Sequence, residues 1–208
     1  MSDAALPDHR AIYDAGAAIW DAARGQLTVE ASWLHRLLAG LAPLSAVLDV
    51  GCGSGRPIAA AVLAAGHRVT GVDFAPGMIA LARAHMPQAD WRLADMRTLD
   101  LGQMFDAVIA WNSFFHLTKQ EQRATLPRLA AHVRPGGWLL FTSGPADSEA
   151  WGWAAGAAVW HASLDPAEYR QICKSCDLVD MTFAPEDAAA GHHSVWLGQK
   201  TGMMEPNT

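Results

Sequence analysis

From residue 46 onward, short apolar runs alternate with stretches of helical periodicity. The runs at Ala46 to Val50, Arg68 to Val72, Asp106 to Trp111 and Trp138 to Thr142, with a weaker one at Asp90 to Leu93, read as strands. The segments between them carry helix starts: Pro76 fits a first helical turn, Thr118 with Glu121 makes a capping box, and Asp165 precedes Pro166 and Glu168. Such alternation predicts a parallel sheet covered by helices on both faces. Two helices are expected ahead of the first strand, about Asp8 to Arg24 and about Val29 to Leu41, the second ended by Gly40 and Pro43. Beyond the Asp165 helix, Leu178 to Phe183 and Ser194 to Gln199 are strand-like runs joined by a turn-rich connection. Residues 144–163, rich in Ala, Gly and Trp, fit neither period. Segments that follow a strand in an open α/β sheet border the ligand crevice, so a lid over a substrate is expected there. Residues 201–208 read as a loose tail, and the length of 208 residues fits one domain.

The first strand runs into Gly51-Cys52-Gly53-Ser54-Gly55, preceded by Asp49. Glycines at alternate positions let the backbone turn tightly and approach a ligand where a Cβ would collide, and the helix that follows presents unpaired N–H groups. A dinucleotide fold also places glycines here, but as GxGxxG. In this chain the third glycine comes one position early and Arg56 stands where the dinucleotide glycine would be. Asp73, at the end of the second run and about twenty residues on, is placed to accept both hydroxyls of a ribose. The GxGxG stretch resembles motif I of the class I S-adenosylmethionine-dependent methyltransferases.

Three further stretches carry the same resemblance. Asp90-Trp91-Arg92-Leu93-Ala94-Asp95-Met96 is similar to the adenine-binding motif. That likeness implies Asp95 on the adenine amino group and Met96 beside the base, with Phe74 and Met78 closing the other face. Phe105 to His116 is similar to the motif after the fourth strand and implies Trp111 as a wall near the sulfonium, with Asn112 and Ser113 toward the methyl or the substrate. Asp106, at the far end of that strand, has a structural role. Arg134-Pro135-Gly136-Gly137 resembles the family's helix-to-strand turn. On the first helix Tyr13, Ala17, Trp20 and Arg24 share a face, and similar helices in relatives cover the cofactor. Arg24 would suit the cofactor carboxylate; the same face would also suit a helix packed on the sheet edge. The resemblance spans about Tyr13 to Lys200. It implies an α/β, Rossmann-like class I methyltransferase fold: a mostly parallel seven-stranded sheet with a C-terminal antiparallel strand, helices on both faces, and a helical cap at 8–41. It departs at Lys174 to Val179, where relatives often carry a glycine and an aromatic.

Composition narrows the partners. The chain is 51% hydrophobic and 17% charged, with a formal charge of −6, so it folds as a globular protein and has no basic excess for nucleic acid. No apolar run is long enough for a membrane span, and Met1 to Arg10 does not resemble a secretory signal, so the expected location is cytoplasmic. Cys173 and Cys176 lack a second pair at metal spacing and read as packing positions; no metal site is expected. The implied cofactor is S-adenosylmethionine, bound by Tyr13, Trp20, Arg24, Asp49, Gly51, Cys52, Gly53, Gly55, Asp73, Phe74, Met78, Asp95, Met96 and Trp111, and the partner is a small-molecule acceptor. A methyl on sulfonium is already activated, so the protein needs mainly to position a nucleophile. If a base assists, His116 is the first candidate, ahead of His161, His192 and His193. Trp151, Trp153 and Trp160 in the lid would enclose an apolar acceptor. Two alternatives share the glycine turn and Asp73: an NAD(P)-dependent oxidoreductase, and a protein that binds S-adenosylmethionine or S-adenosylhomocysteine without turnover. Neither the acceptor nor the oligomeric state has a signature in the chain.

Overall fold

The computed structural model describes residues 6–24 and 28–202. Where one helix was expected from Asp8 to Arg24 there are two, α1 (His9–Ala15) and α2 (Ala17–Ala23), broken at Gly16. A Cβ at Gly16 would lie 2.2 Å from the carbonyl oxygen of Ala155, so the absent side chain makes room for a distant turn of the chain. Then come α3 (Ala31–Ala39), β1 (Ala46–Val50), α4 (Ile58–Ala64), β2 (Arg68–Asp73), α5 (Pro76–His85), β3 (Asp90–Leu93), β4 (Phe105–Ala110), α6 (Lys119–Ala131) and β5 (Val133–Ser143). The chain closes through β6 (Ser148–Ala154), β7 (Ala157–Ser163), α7 (Pro166–Ser175), β8 (Leu178–Asp187) and β9 (His193–Lys200). Residues 203–208 of the expected tail lie outside the described residues.

Seven strands form one sheet in the order β3-β2-β1-β4-β5-β9-β8. The pairs from β3 to β5 are parallel, and β9 runs antiparallel to both neighbours, as the resemblance implies. Strand order reverses between β1 and β4, and a crevice opens outside the carboxyl ends of strands at such a switch point. On one face Trp33, Leu37, Val62 and Ile79 pack on Val47, Ile109 and Leu140; on the other Leu126, Leu129, Tyr169 and Cys173 pack on Leu48, Val108, Phe141 and Trp196. Cys173 is thus a core residue, as expected. A small third cluster of Tyr13, Ala17, Ala75 and Met78 seats the α1–α2 cap on α5.

Local detail refines the motif readings. The β4–β5 register jumps from Phe105 opposite Val133 to Ala107 opposite Trp138, so residues 134–137 bulge around Asp106. Asp106 accepts from the Ala46 amide at 2.7 Å and pairs with Arg134 at 2.6 Å, the structural role expected of it. At the departure before β8, Asp177 adopts φ +61, left-handed backbone that a glycine would adopt freely and that Asp tolerates. Residues 144–163, which fitted no period, form the β6–β7 hairpin, with Trp151 opposite Trp160. Its turn has φ +51 at Ala155 and +81 at Gly156, the mirror-image geometry that matches strand twist. No helix of the described residues is long and apolar enough to cross a membrane.

Candidate functional site

A cleft of about 270 Å³ opens outside the carboxyl ends of β1, β2 and β4. Its floor is the glycine turn, with φ +71 at Gly51 and +54 at Gly53. The Gly51 and Cys52 amides both donate to the Val72 carbonyl, at 2.8 and 3.0 Å. The next amide, Gly53, donates to Asp73 Oδ2 at 2.9 Å, and Ala75 donates to Oδ1 at 2.9 Å. Each oxygen of this buried carboxylate therefore keeps lone-pair capacity for a ligand. Burial raises Asp73 to about 6 against the pull of these amides, and raises the buried Asp49, with the added charge of Asp73, to about 7. A Cβ at Gly53 would press on Trp20 Nε1 at 3.3 Å. Gly55 corrects the expectation: it does not line the cleft, and a Cβ there would strike Met86 Cε at 2.5 Å and Trp91 Cη2 at 2.7 Å, so its role is packing.

At the β3 side Asp95, Met96 and Phe74 line the cleft. Asp95 accepts from the Arg97 amide at 2.9 Å and from its guanidinium at 2.6 Å, while Arg97 also reaches Glu121 at 3.0 Å. Burial pushes Asp95 up, but the bonds from Arg97 outweigh it and hold the carboxyl below its usual range. Met78 belongs to the cap-seating cluster and also lines the cleft.

The cap forms the roof through Tyr13, Trp20 and Arg24. Tyr13 meets Trp20 edge-on at 5.6 Å, and Arg24 pairs with Glu30 while lying 5.4 Å over the Trp20 ring. Two carboxylates anchor the cap: Asp14 accepts from the Gly77 amide at 2.6 Å, and Asp21 accepts from Arg56 Nε at 3.2 Å with His85 Nε2 at 3.1 Å.

Trp111, Asn112, Ser113 and His116 wall the β4 side. Ser113 donates to the Val50 carbonyl at 2.7 Å and a Cβ on Gly51 would sit 2.3 Å from it, so Ser113 braces the turn. Asn112 donates through Nδ2 to His193 Nε2 at 3.1 Å. His116 Nδ1 faces the Trp160 carbonyl at 3.2 Å, and a carbonyl only accepts, so Nδ1 carries the proton and Nε2 accepts from the Tyr13 hydroxyl at 2.7 Å. Burial, then the neighbouring His9 and His161, push His116 down to about 3. His9, which the sequence did not single out, accepts from the Trp160 amide at 3.1 Å, and its ring lies 4.6 Å from that of His116, tilted by 42°. His161 and His193 stand behind the wall, outside the cleft lining, and so do Trp151, Trp153 and Trp160. The hairpin thus reaches the site through the Trp160 backbone; Trp151 and Trp153 are exposed and do not enclose it.

Residues 47–137 match the family model described as a methyltransferase domain. The matched stretch, 91 of the 208 residues, is a methyltransferase domain of the class I type. Among curated methyltransferases it is similar to the dTDP-3-amino-3,6-dideoxy-alpha-D-glucopyranose N,N-dimethyltransferase of Streptomyces fradiae, 38% identical over 116 residues, 51% of this chain and 45% of that protein. It is also similar to a ribosomal-protein methyltransferase of Dechloromonas aromatica, 39% identical over 113 residues, 53% of this chain and 35% of that protein. The chain thus spans half or less of these relatives' own length. Among solved structures, the 1,6-didemethyltoxoflavin-N1-methyltransferase of Burkholderia thailandensis, with bound 1,6-didemethyltoxoflavin and S-adenosylhomocysteine, superposes with a TM-score of 0.68 at 23% identity, covering 96% of this chain and 93% of that one. That likeness is one of methyltransferase fold. Of the candidate cofactor-binding residues, the structure brings all but Gly55 to one cleft. It adds Arg10, Arg56, Arg97 and Glu121 to the lining; Arg56 was visible as the residue replacing a glycine, whereas the others have no signal in the motif spacing.

Proposed function

We propose that the protein transfers the methyl group of S-adenosylmethionine to a small-molecule acceptor by direct in-line displacement. The observation that carries this reading is the Asp73 carboxylate, held by the Gly53 and Ala75 amides with open lone pairs at a glycine-floored cleft. Two adjacent ribose hydroxyls match that arrangement. Asp49, buried beside Asp73, adds negative charge that favours a cationic ligand. The backbone of Gly51, Cys52 and Gly53 lies beneath the ligand, Phe74, Met78 and Met96 flank the base, and Trp111 lies by the reacting centre. Asp95 takes the base's amino group on lone pairs that Arg97 leaves open. Tyr13 and Trp20 close the roof and exclude water, and Arg24 meets the carboxylate.

When bound, the cofactor supplies an already electrophilic methyl group, so the chain's work is binding and alignment. His116 holds the Tyr13 hydroxyl proton turned toward its ring, which leaves the Tyr13 oxygen to accept an N–H or O–H of the acceptor. His116 then acts through Tyr13 and is not a free base. The absence of a basic excess supports a small acceptor over nucleic acid, and a cytoplasmic location fits a chain with no membrane-length apolar helix among its described residues. The GxGxG spacing and the antiparallel β9 favour this reading over a nicotinamide oxidoreductase.

The test is calorimetric titration of wild type and Asp73→Ala with S-adenosylmethionine, S-adenosylhomocysteine and NAD. Adenosyl-ligand binding that the substitution weakens, with no NAD signal, is expected; NAD binding with silence for both adenosyl ligands would overturn the assignment. Turnover then separates an enzyme from a non-catalytic binder, and the amino-sugar relative makes a panel of small amines the first screen.

A further inference from the structure

The pair Arg24–Glu30 is a charged constellation that the motif reading leaves half explained. Arg24 lines the cleft, but Glu30 has no place in any motif, and its side chain is only 1% exposed. A carboxylate buried that deeply is costly unless it is paired and hydrogen-bonded. Its partners are the Arg24 guanidinium and, at 3.3 Å, the Thr28 amide. Glu30 therefore fixes one edge of the Arg24 fork at the base of α3. The guanidinium has five N–H donors in a rigid plane, so once one edge is held, the others keep a set direction. The plane also rests on Trp20, whose indole nitrogen is what a Cβ at Gly53 would meet.

Position decides which ligand group this cation meets. Asp95 lies after β3, at one end of the strand order, while Arg24 lies over Trp20, which meets Tyr13 edge-on at 5.6 Å. Tyr13 in turn donates to His116, just beyond β4, at 2.7 Å. Arg24 thus sits at the β4 side of the cleft, opposite the base subsite. We infer that Glu30 is a positioning residue: it holds Arg24 so that its free edge recognises the α-carboxylate of the amino-acid end of the cofactor. This rests on the reading of the cleft as an S-adenosylmethionine site.

The experiment compares two ligands on wild type, Glu30→Gln and Arg24→Lys: S-adenosylhomocysteine, which has the amino-acid end, and 5′-methylthioadenosine, which lacks it. Charge-assisted forks are the stronger hydrogen bonds, so both variants are expected to lose about ten-fold or more in affinity for S-adenosylhomocysteine, with methylthioadenosine changed less than two-fold. In turnover the loss falls on KM for S-adenosylmethionine, with kcat at saturation held within about two-fold. Parallel loss of both ligands, or loss of neither, overturns the inference while leaving the cofactor reading intact. Wild type that binds neither ligand overturns both. If Glu30→Gln does not fold by circular dichroism, Arg24→Lys, which leaves Glu30 a cation, must show the selective loss alone or the inference falls.

Discussion

Replacing Asp73 by Asn separates the cleft's ligand chemistry from its folding. The carboxylate accepts one amide on each oxygen, at 2.9 Å in both cases. An Asn side chain keeps one acceptor and turns a donor toward the other amide, which loses that bond and reorients the group proposed to meet the ribose. Hydrogen bonds to a charged acceptor contribute roughly 1.5–3 kcal/mol each, so losing one or two ligand bonds weakens adenosyl-ligand affinity by about ten-fold to ten-thousand-fold. Stability moves differently. Burial raises the folded Asp73 to about 6, so the folded state holds a proton that the unfolded state releases, and stability falls as pH rises from about 4 through about 6. At pH 7 the ionised group opposes folding by its desolvation, and Asn relieves that cost while losing an amide bond. The two terms oppose, leaving the thermal midpoint of ligand-free protein little changed at pH 7. Ligand binding to the wild type weakens as pH falls below about 6, because a cationic ligand prefers the ionised carboxylate, and proton release appears as a buffer-dependent calorimetric enthalpy. The assay is titration of both proteins between pH 5 and 8, with melting curves alongside. Affinity that drops less than three-fold, or only in step with a lost melting transition, would refute the reasoning.

Gly55→Ala places a methyl against Met86 and Trp91 at φ +78, so about 2–4 kcal/mol of stability is lost in denaturant titration while adenosyl-ligand affinity of the folded protein holds. Gly53→Ala, whose methyl meets Trp20, is expected to lose ligand affinity; equal affinities for the two variants would contradict the division between packing and site. Because His116 stays neutral down to about 3, its removal by His116→Gln is expected to lower kcat without deleting a kinetic ionisation near 6.5, and a bell-shaped limb that vanishes in the variant would show it to be a free base. The same depression makes His116 an acid-labile contact: its contribution is full above pH 6.5 and is lost as pH falls toward 3, so His116→Gln melts with a shallower acid dependence over that window. Gly16→Val drives a side chain into the Ala155 carbonyl and parts the hairpin from the cap, raising KM for the acceptor more than for S-adenosylmethionine.

What the sequence revealed follows how far each signal extends along the chain. β1 falls on its expected residues because a buried strand announces itself as a local apolar run between turns; the edge strand β3 also falls on its expected residues, with Trp91 its one buried side chain. The glycine turn and Asp73 were legible for the same reason: one backbone path from strand to helix needs them at fixed spacing. The hairpin was not, since its strands are built mainly from Ala, Gly, Ser and Trp, with Val159 their one β-branched residue, and its Ala155-Gly156 turn lacks the Asn-Gly signal that such a turn usually carries. Nor does any local pattern mark the break at Gly16, whose cause lies at Ala155.

The residues that sequence reasoning missed or half understood all act across long gaps. His9 finds its partner at Trp160, and His116, chosen as a base from its place after β4, finds its lone pair occupied by Tyr13. These contacts join the cap, the β4 exit and the hairpin at a single residue, with the Trp160 amide on His9 and its carbonyl on His116. The floor of the cleft is therefore encoded in one continuous motif, and the roof in the mutual fit of three segments far apart in the chain. A substitution in the floor should act on the adenosyl ligand whatever the acceptor, while a substitution among His9, Tyr13, His116 and the hairpin should act on the acceptor first. On that expectation acceptor selection would rest with the contacts among His9, Tyr13, His116 and the hairpin, which lie outside the glycine motif that marks the cofactor.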